Sequence, residues 1–139
     1  MAVLDPANKK FISYFLPVII WAGFIFAVSS TTGNKIPHLF AYQDIVFHIF
    51  EYAVFAWFIH RALKNYYPNL PNFRCFYLTV IVSIIYAISD ELHQAYVPYR
   101  DPSALDAMID TLGAIAGSLF FYYITKRSVI GSRKDNLNG

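Results

Sequence analysis

Four apolar segments, separated by short polar or proline-bearing stretches, constrain this chain more than anything else in it. They run from Phe11 to about Val28, from about Asp44 to Leu63, from about Cys75 to Val97 and from about Ala104 to Ile124. At about 1.5 Å of rise per helical residue, each is long enough to cross a hydrocarbon core of about 30 Å. Backbone groups in lipid must be satisfied within their own segment, so all four are expected to be helices. The expected architecture is an all-α, single-domain integral membrane bundle of four transmembrane helices over residues 1–139. Composition agrees: 57% hydrophobic and only 14% charged residues is too apolar for an ordinary soluble domain. The net charge of +2 and the absence of a long basic stripe exclude nucleic acid as a partner and leave membrane lipids. The single cysteine, Cys75, has no second thiol for an intramolecular disulfide and no metal spacing around it.

Lys9 and Lys10, the apolar run and the "AVSS" at its end resemble a secretory signal peptide. The run exceeds the 7–15 residues of a signal core, so it is read as a retained span. With four spans, the N-terminus, the loop between spans two and three and the C-terminus share one side. That side holds Lys9, Lys10, Arg61, Lys64, Arg74, Lys126, Arg127, Arg133 and Lys134; the other holds Lys35 and Arg100. Basic residues collect on the cytoplasmic side, so both termini are expected inside the cell and the multi-pass chain in a plasma (inner) membrane.

What little charge remains is concentrated. The stretch "SDELHQAYVPYRDPSALDAMID", residues 89–110, holds most of the acids of the second half and lies on the expected outer side. Asp44, His48, Glu51 and Phe55 follow i, i+4, i+7, i+11 spacing on one face of span two; Tyr86, Asp90, His93 or Gln94 and Val97 form a second stripe. Ser103, Asp106, Asp110, Gly113 and Gly117 form a third. Because chain direction alternates, the polar parts of all three fall at one depth and define an expected shared chamber. An acid at the centre of a membrane helix costs about 2.5–3.5 kcal/mol on insertion scales, less near the interface. Glu51, Asp90, Glu91, Asp106 and Asp110 must therefore face inward, and the surplus over Arg100, His48 and His93 must be protonated, hydrated or balanced by a cation.

"HIFEYAVFAWFIHRAL" together with "SDELHQAYVPYRDPSALDAMIDTLGAIAG" resembles the VanZ-like family of small bacterial membrane proteins. The resemblance covers about residues 44–117 and rests on two motifs in order: H-x-x-E-Y, then D-E-x-H-Q-x-[FY]-V-P-x-R-x-x-S-x-x-D-x-x-x-N-x-x-G. It implies a four-helix membrane fold and kinship with a protein giving low-level resistance to the glycopeptide teicoplanin; it implies no particular reaction. The matching positions are His48, Glu51, Tyr52, Asp90, Glu91, His93, Gln94, Pro98, Arg100, Ser103 and Asp106. Tyr99 stands where a Gly is usual and Asp110 where an Asn is usual.

Carboxylates and histidine at one depth suit general acid–base work on a lipid-linked cell-envelope molecule. In that reading His93 or Glu91 is the base, Asp90 or Glu51 orients it, and Arg100 grips an anionic head group. His48 is a further catalytic candidate, and Tyr52, Gln94, Ser103, Asp106 and Asp110 are binding candidates. His48, Glu51, His93 and Asp110 are alternatively ligands for a divalent cation, on a weak spacing signal. A non-catalytic accessory that alters envelope composition is the second functional reading. A proton or cation relay is the third, weakened because the polar residues stop halfway across. Plainer roles stand beside these. Ser103 with Asp106 reads as a capping-box start of span four, Gly113 and Gly117 as a small-xxx-small packing pair, and His60 as a last-turn residue facing the helix dipole.

Overall fold

The structure, a computed structural model, describes residues 5–37 and 39–135. Its helices are α1 (Pro6–Ser29), α2 (Gln43–Tyr66), α3 (Asn72–Gln94) and α4 (Ala104–Asp135), with one 3-10 turn at Gly33–Lys35 between α1 and α2. Each helix is long and apolar enough to cross a membrane, and no strand occurs among the described residues. The α4 helix continues to Asp135, beyond the expected end at Ile124; residues 136–139 of the expected polar tail lie outside the described part.

The helices run up and down with short connections. Antiparallel pairing of α1 with α2 places Phe11 against Tyr66 at one end and the Trp21 indole against the Glu51 carbonyl further along, at 2.9 Å. α2 and α4 run parallel and make the most intimate pair, whereas α1 packs on α2 and α3 but not on α4. The reason lies in α4: a methyl group on Gly113 would strike the Ile49 backbone, and one on Gly117 the Ala53 carbonyl. The small-xxx-small spacing is thus used to bring two helix backbones together.

The apolar core is Ile25, Tyr52, Phe55, Ile59 and Ala87, flanked by Trp21 and Tyr86. Large apolar side chains on the outer faces, such as Ile19, Ile85, Leu112 and Phe120, are exposed, as lipid-facing positions require. The connections at the α1–α2 and α3–α4 end are knitted together. Gly33 N–H donates to the Pro98 carbonyl at 3.3 Å, and Gln43, buried at the start of α2, bonds both Pro37 and Leu39 backbone.

Span three ends at Gln94, three residues short of the expected Val97. Ala95 to Arg100 form tight turns, with Val97 N–H on the Gln94 carbonyl. Pro98 disfavours the helical conformation for the residue before it, which moves Val97 off the expected stripe.

Candidate functional site

At this knitted end, α2, α3 and α4 bring ionisable side chains together between them. His48 Nδ1 lies 2.8 Å from Asp110 Oδ1, a hydrogen bond across the α2–α4 interface. Asp110 is wholly buried, held there by the close approach that Gly113 permits one turn further on. One ligand atom each from His48, Glu91 and Asp110 falls within 4.8 Å of the others, so all three helices contribute to one cluster.

Glu91 has a second task. Its Oε2 accepts the backbone N–H of Ser103 at 2.8 Å, while Ser103 Oγ accepts the N–H of Leu105 at 3.1 Å and the Ser103 carbonyl takes the first helical bonds of α4. The reciprocal half of the expected capping box is thus supplied by α3 rather than by Asp106. The longer Glu reaches in from the neighbouring helix, and Asp106 is left to line the adjoining cavity.

Two cavities of about 210 Å³ and 300 Å³ open beside the cluster and share Asp44, His48, Gln94 and Arg100 in their walls. The first also has Glu51 and Asp90, the second Asp106 and Tyr99. Gln94 Nε2 donates to Asp90 Oδ2 at 3.0 Å, which fixes both residues on the α3 wall. The structure therefore gathers His48, Glu51, Asp90, Glu91, Gln94, Asp106 and Asp110 around one polar region. Tyr52, another candidate, is fully buried in the core, and its hydroxyl finds no partner among the described residues.

His93 and Arg100 are used differently from expectation. His93 faces α1: its ring stacks on Phe26 at 4.5 Å and Nε2 lies 2.9 Å from Ser30 Oγ. It does not join the cation cluster, and neither does Glu51; Glu91 takes the place foreseen for them. Arg100 Nε and Nη2 donate to the carbonyls of Thr31 and Val28 at 3.0 and 2.9 Å, capping α1. Carbonyls at the end of a helix lack the usual partner four residues on, so the guanidinium serves as a C-terminal cap while still edging both cavities.

Several buried polar atoms lack partners among the described residues: Glu91 Oε1, Asp110 Oδ2, the Tyr52 hydroxyl, Ser83 Oγ and Thr79 Oγ1. Each such atom costs about 1–3 kcal/mol, more when charged, unless a ligand or solvent satisfies it. Deeper in the bundle, His60 is buried with Nδ1 2.6 Å from Ser118 Oγ. It is not a last-turn residue, because α2 runs on to Tyr66. Sequence reading missed this second polar pair; the i+4 series Cys75, Thr79, Ser83, Ala87 and Glu91 is likewise buried, on α3.

Four membrane-length helices with ionisable side chains gathered between three of them define a small multi-pass membrane protein. The VanZ/LLP1 family model matches residues 14–126, and the chain belongs to that family. Searches among curated proteins and among solved structures found no match.

Proposed function

We propose that the chamber opens on the outer face of a bacterial plasma membrane, with both termini in the cytoplasm, and binds or modifies a lipid-linked cell-envelope component. The single observation that carries this reading is the convergence of His48, Glu51, Asp90 and Asp106 on two adjoining cavities at one end of the bundle, with the buried Asp110 behind His48. Ionisable groups inside membrane helices are costly and mark functional sites. The basic residues at the opposite end support the orientation, and the lipid-facing walls support a lipid-borne ligand. Within the chamber, His48 is the better base candidate than His93, because it has a buried carboxylate partner. The family's kinship with a teicoplanin-resistance protein supports looking for the ligand in the cell envelope.

The test compares envelope lipids and teicoplanin sensitivity in cells carrying the wild type, His48→Gln or Glu51→Gln. A change with wild type that both variants abolish supports the reading; identical envelopes and sensitivities in all strains overturn it. Cysteines at positions 48 and 106 should react with impermeant thiol reagents added outside the cell. Reaction only from within would reverse the orientation.

The second reading is a non-catalytic accessory. It is favoured by the binding of Arg100 and His93 to α1, which gives two motif residues structural work. It expects His48→Gln to preserve the envelope phenotype while substitutions on the exposed face of α3, such as Ile85→Asn, abolish it.

A further inference from the structure

The meeting point of α2, α3 and α4 has the makings of a built site. Asp110 is 0% exposed and Glu91 9%, and each keeps one carboxylate oxygen, Oδ2 and Oε1, without a hydrogen-bond partner among the described residues. The opposite oxygen of each is already fixed, Asp110 Oδ1 by His48 Nδ1 at 2.8 Å and Glu91 Oε2 by the Ser103 N–H at 2.8 Å. Two anchored carboxylates and an imidazole, with ligand atoms within 4.8 Å of one another, thus leave unused acceptor capacity between three helices.

We propose that His48, Glu91 and Asp110 bind one divalent transition-metal cation, zinc or manganese. Imidazole nitrogen beside carboxylate oxygen is a borderline donor set, which suits these ions better than calcium or magnesium, whose sites are all oxygen. The 2.8 Å between His48 Nδ1 and Asp110 Oδ1 matches adjacent ligands at right angles around a six-coordinate ion with bonds of about 2.0–2.2 Å, and a tetrahedral zinc needs the two atoms to part by about 0.5 Å more. One proton bridges that pair in the metal-free protein. A cation takes its place, so binding releases the proton. The Ser103 N–H on Glu91 then acts as an outer partner that orients a ligand, as metal sites ordinarily require. The ion pins three helices at one point, and Asp110 is the ligand that departs from the usual Asn of the resembled family.

The proposal stands whatever the chamber's substrate, because its readouts are metal content and metal affinity. The full chain is purified in detergent without chelator, analysed for metals by mass spectrometry, stripped, and titrated with Zn²⁺ or Mn²⁺ while melting and proton release are followed. We expect one ion per chain, a melting temperature that rises with added ion, and proton uptake by the buffer. His48→Gln, Glu91→Gln and Asp110→Asn should each weaken binding by more than the 10–100-fold typical of losing an outer-shell partner. The amide replacements at 91 and 110 preserve side-chain shape, and the amide oxygen of the Glu91→Gln variant still accepts the Ser103 N–H, so these variants retain the fold. Ser118→Ala, which disturbs the deeper His60 contact, should keep wild-type metal affinity. Absence of a stoichiometric ion together with no thermal response to Zn²⁺ or Mn²⁺ overturns the proposal, as does undiminished binding in Asp110→Asn. Neither result bears on the envelope phenotype, which tests the chamber separately.

Discussion

His48 on α2 and Asp110 on α4 meet at 2.8 Å, with the carboxylate fully buried and the imidazole at the edge of the cavities. The pair joins the two helices that lie closest in the bundle and sets the floor of the polar end. Removing either partner strands the other, and the cost follows from where each group sits.

Asp110→Ala leaves the His48 Nδ1 without its acceptor and opens a polar hole, so a stability loss of about 2–4 kcal/mol is expected. A double-mutant cycle with His48→Ala should give a coupling of about 1.5–3 kcal/mol, read from reversible unfolding in mixed micelles. Strict additivity of the two losses would show that the contact contributes nothing.

Glu91 holds the first turn of α4 from α3, so Glu91→Ala should loosen that turn at a cost of about 1–2 kcal/mol. Amide exchange at residues 103–107 should accelerate while exchange deeper in α4 stays slow. Asp106→Ala should leave that exchange unchanged, because the cap does not come from Asp106.

The glycines divide by what surrounds them. Gly117→Ala drives a methyl into the Ala53 carbonyl and should cost about 1–3 kcal/mol or more, with α2 and α4 forced apart. Gly23→Ala meets nothing within 4 Å and should stabilise α1 by up to about 1 kcal/mol. Detergent melts of the two variants should move in opposite directions.

Tyr99, which stands where the resembled family usually has a Gly, adopts φ 61°, in the left-handed region. The backbone takes it because Gly33 of the facing connection leaves room for the Tyr99 carbonyl, and the Gly33 N–H bonds the preceding Pro98 carbonyl. Holding a tyrosine there costs about 1–2 kcal/mol, so Tyr99→Gly should raise stability by about 1 kcal/mol after the entropy of the freer chain is counted. Gly33→Ala should lower it. A melting temperature for Tyr99→Gly below that of wild type would contradict this account.

Much of the fold is legible in the amino-acid order, for a plain reason. Lipid supplies no hydrogen bonds, so apolar length alone dictates a helix, and the four segments appear as α1 to α4 with most ends shifted by a few residues. The candidate site is legible only as a population. Period-3.6 spacing puts His48, Glu51, Asp90, Asp106 and Asp110 on inward stripes, but spacing on one helix carries no information about rotation against the next. Hence the spacing assigns His93 to the chamber, yet it bonds Ser30, and it offers Arg100 to a head group, yet the guanidinium caps α1. His60 looks like a helix end only while span two is taken to stop at Leu63; three more residues of helix put it inside the bundle, against Ser118.

The sequence by itself determined that this chain forms four membrane-length helices and that scarce, costly charges gather near the ends of three of them, since both follow from the transfer energy of residues taken one segment at a time. Which charge meets which was decided only in three dimensions. The glycines of α4 let it settle against the backbone of α2, and that approach puts Asp110 on His48 and Glu91 on the first turn of α4, and leaves one buried oxygen of each carboxylate without a partner among the described residues. Such pairings depend on interhelical distance and rotation, quantities that no local pattern encodes.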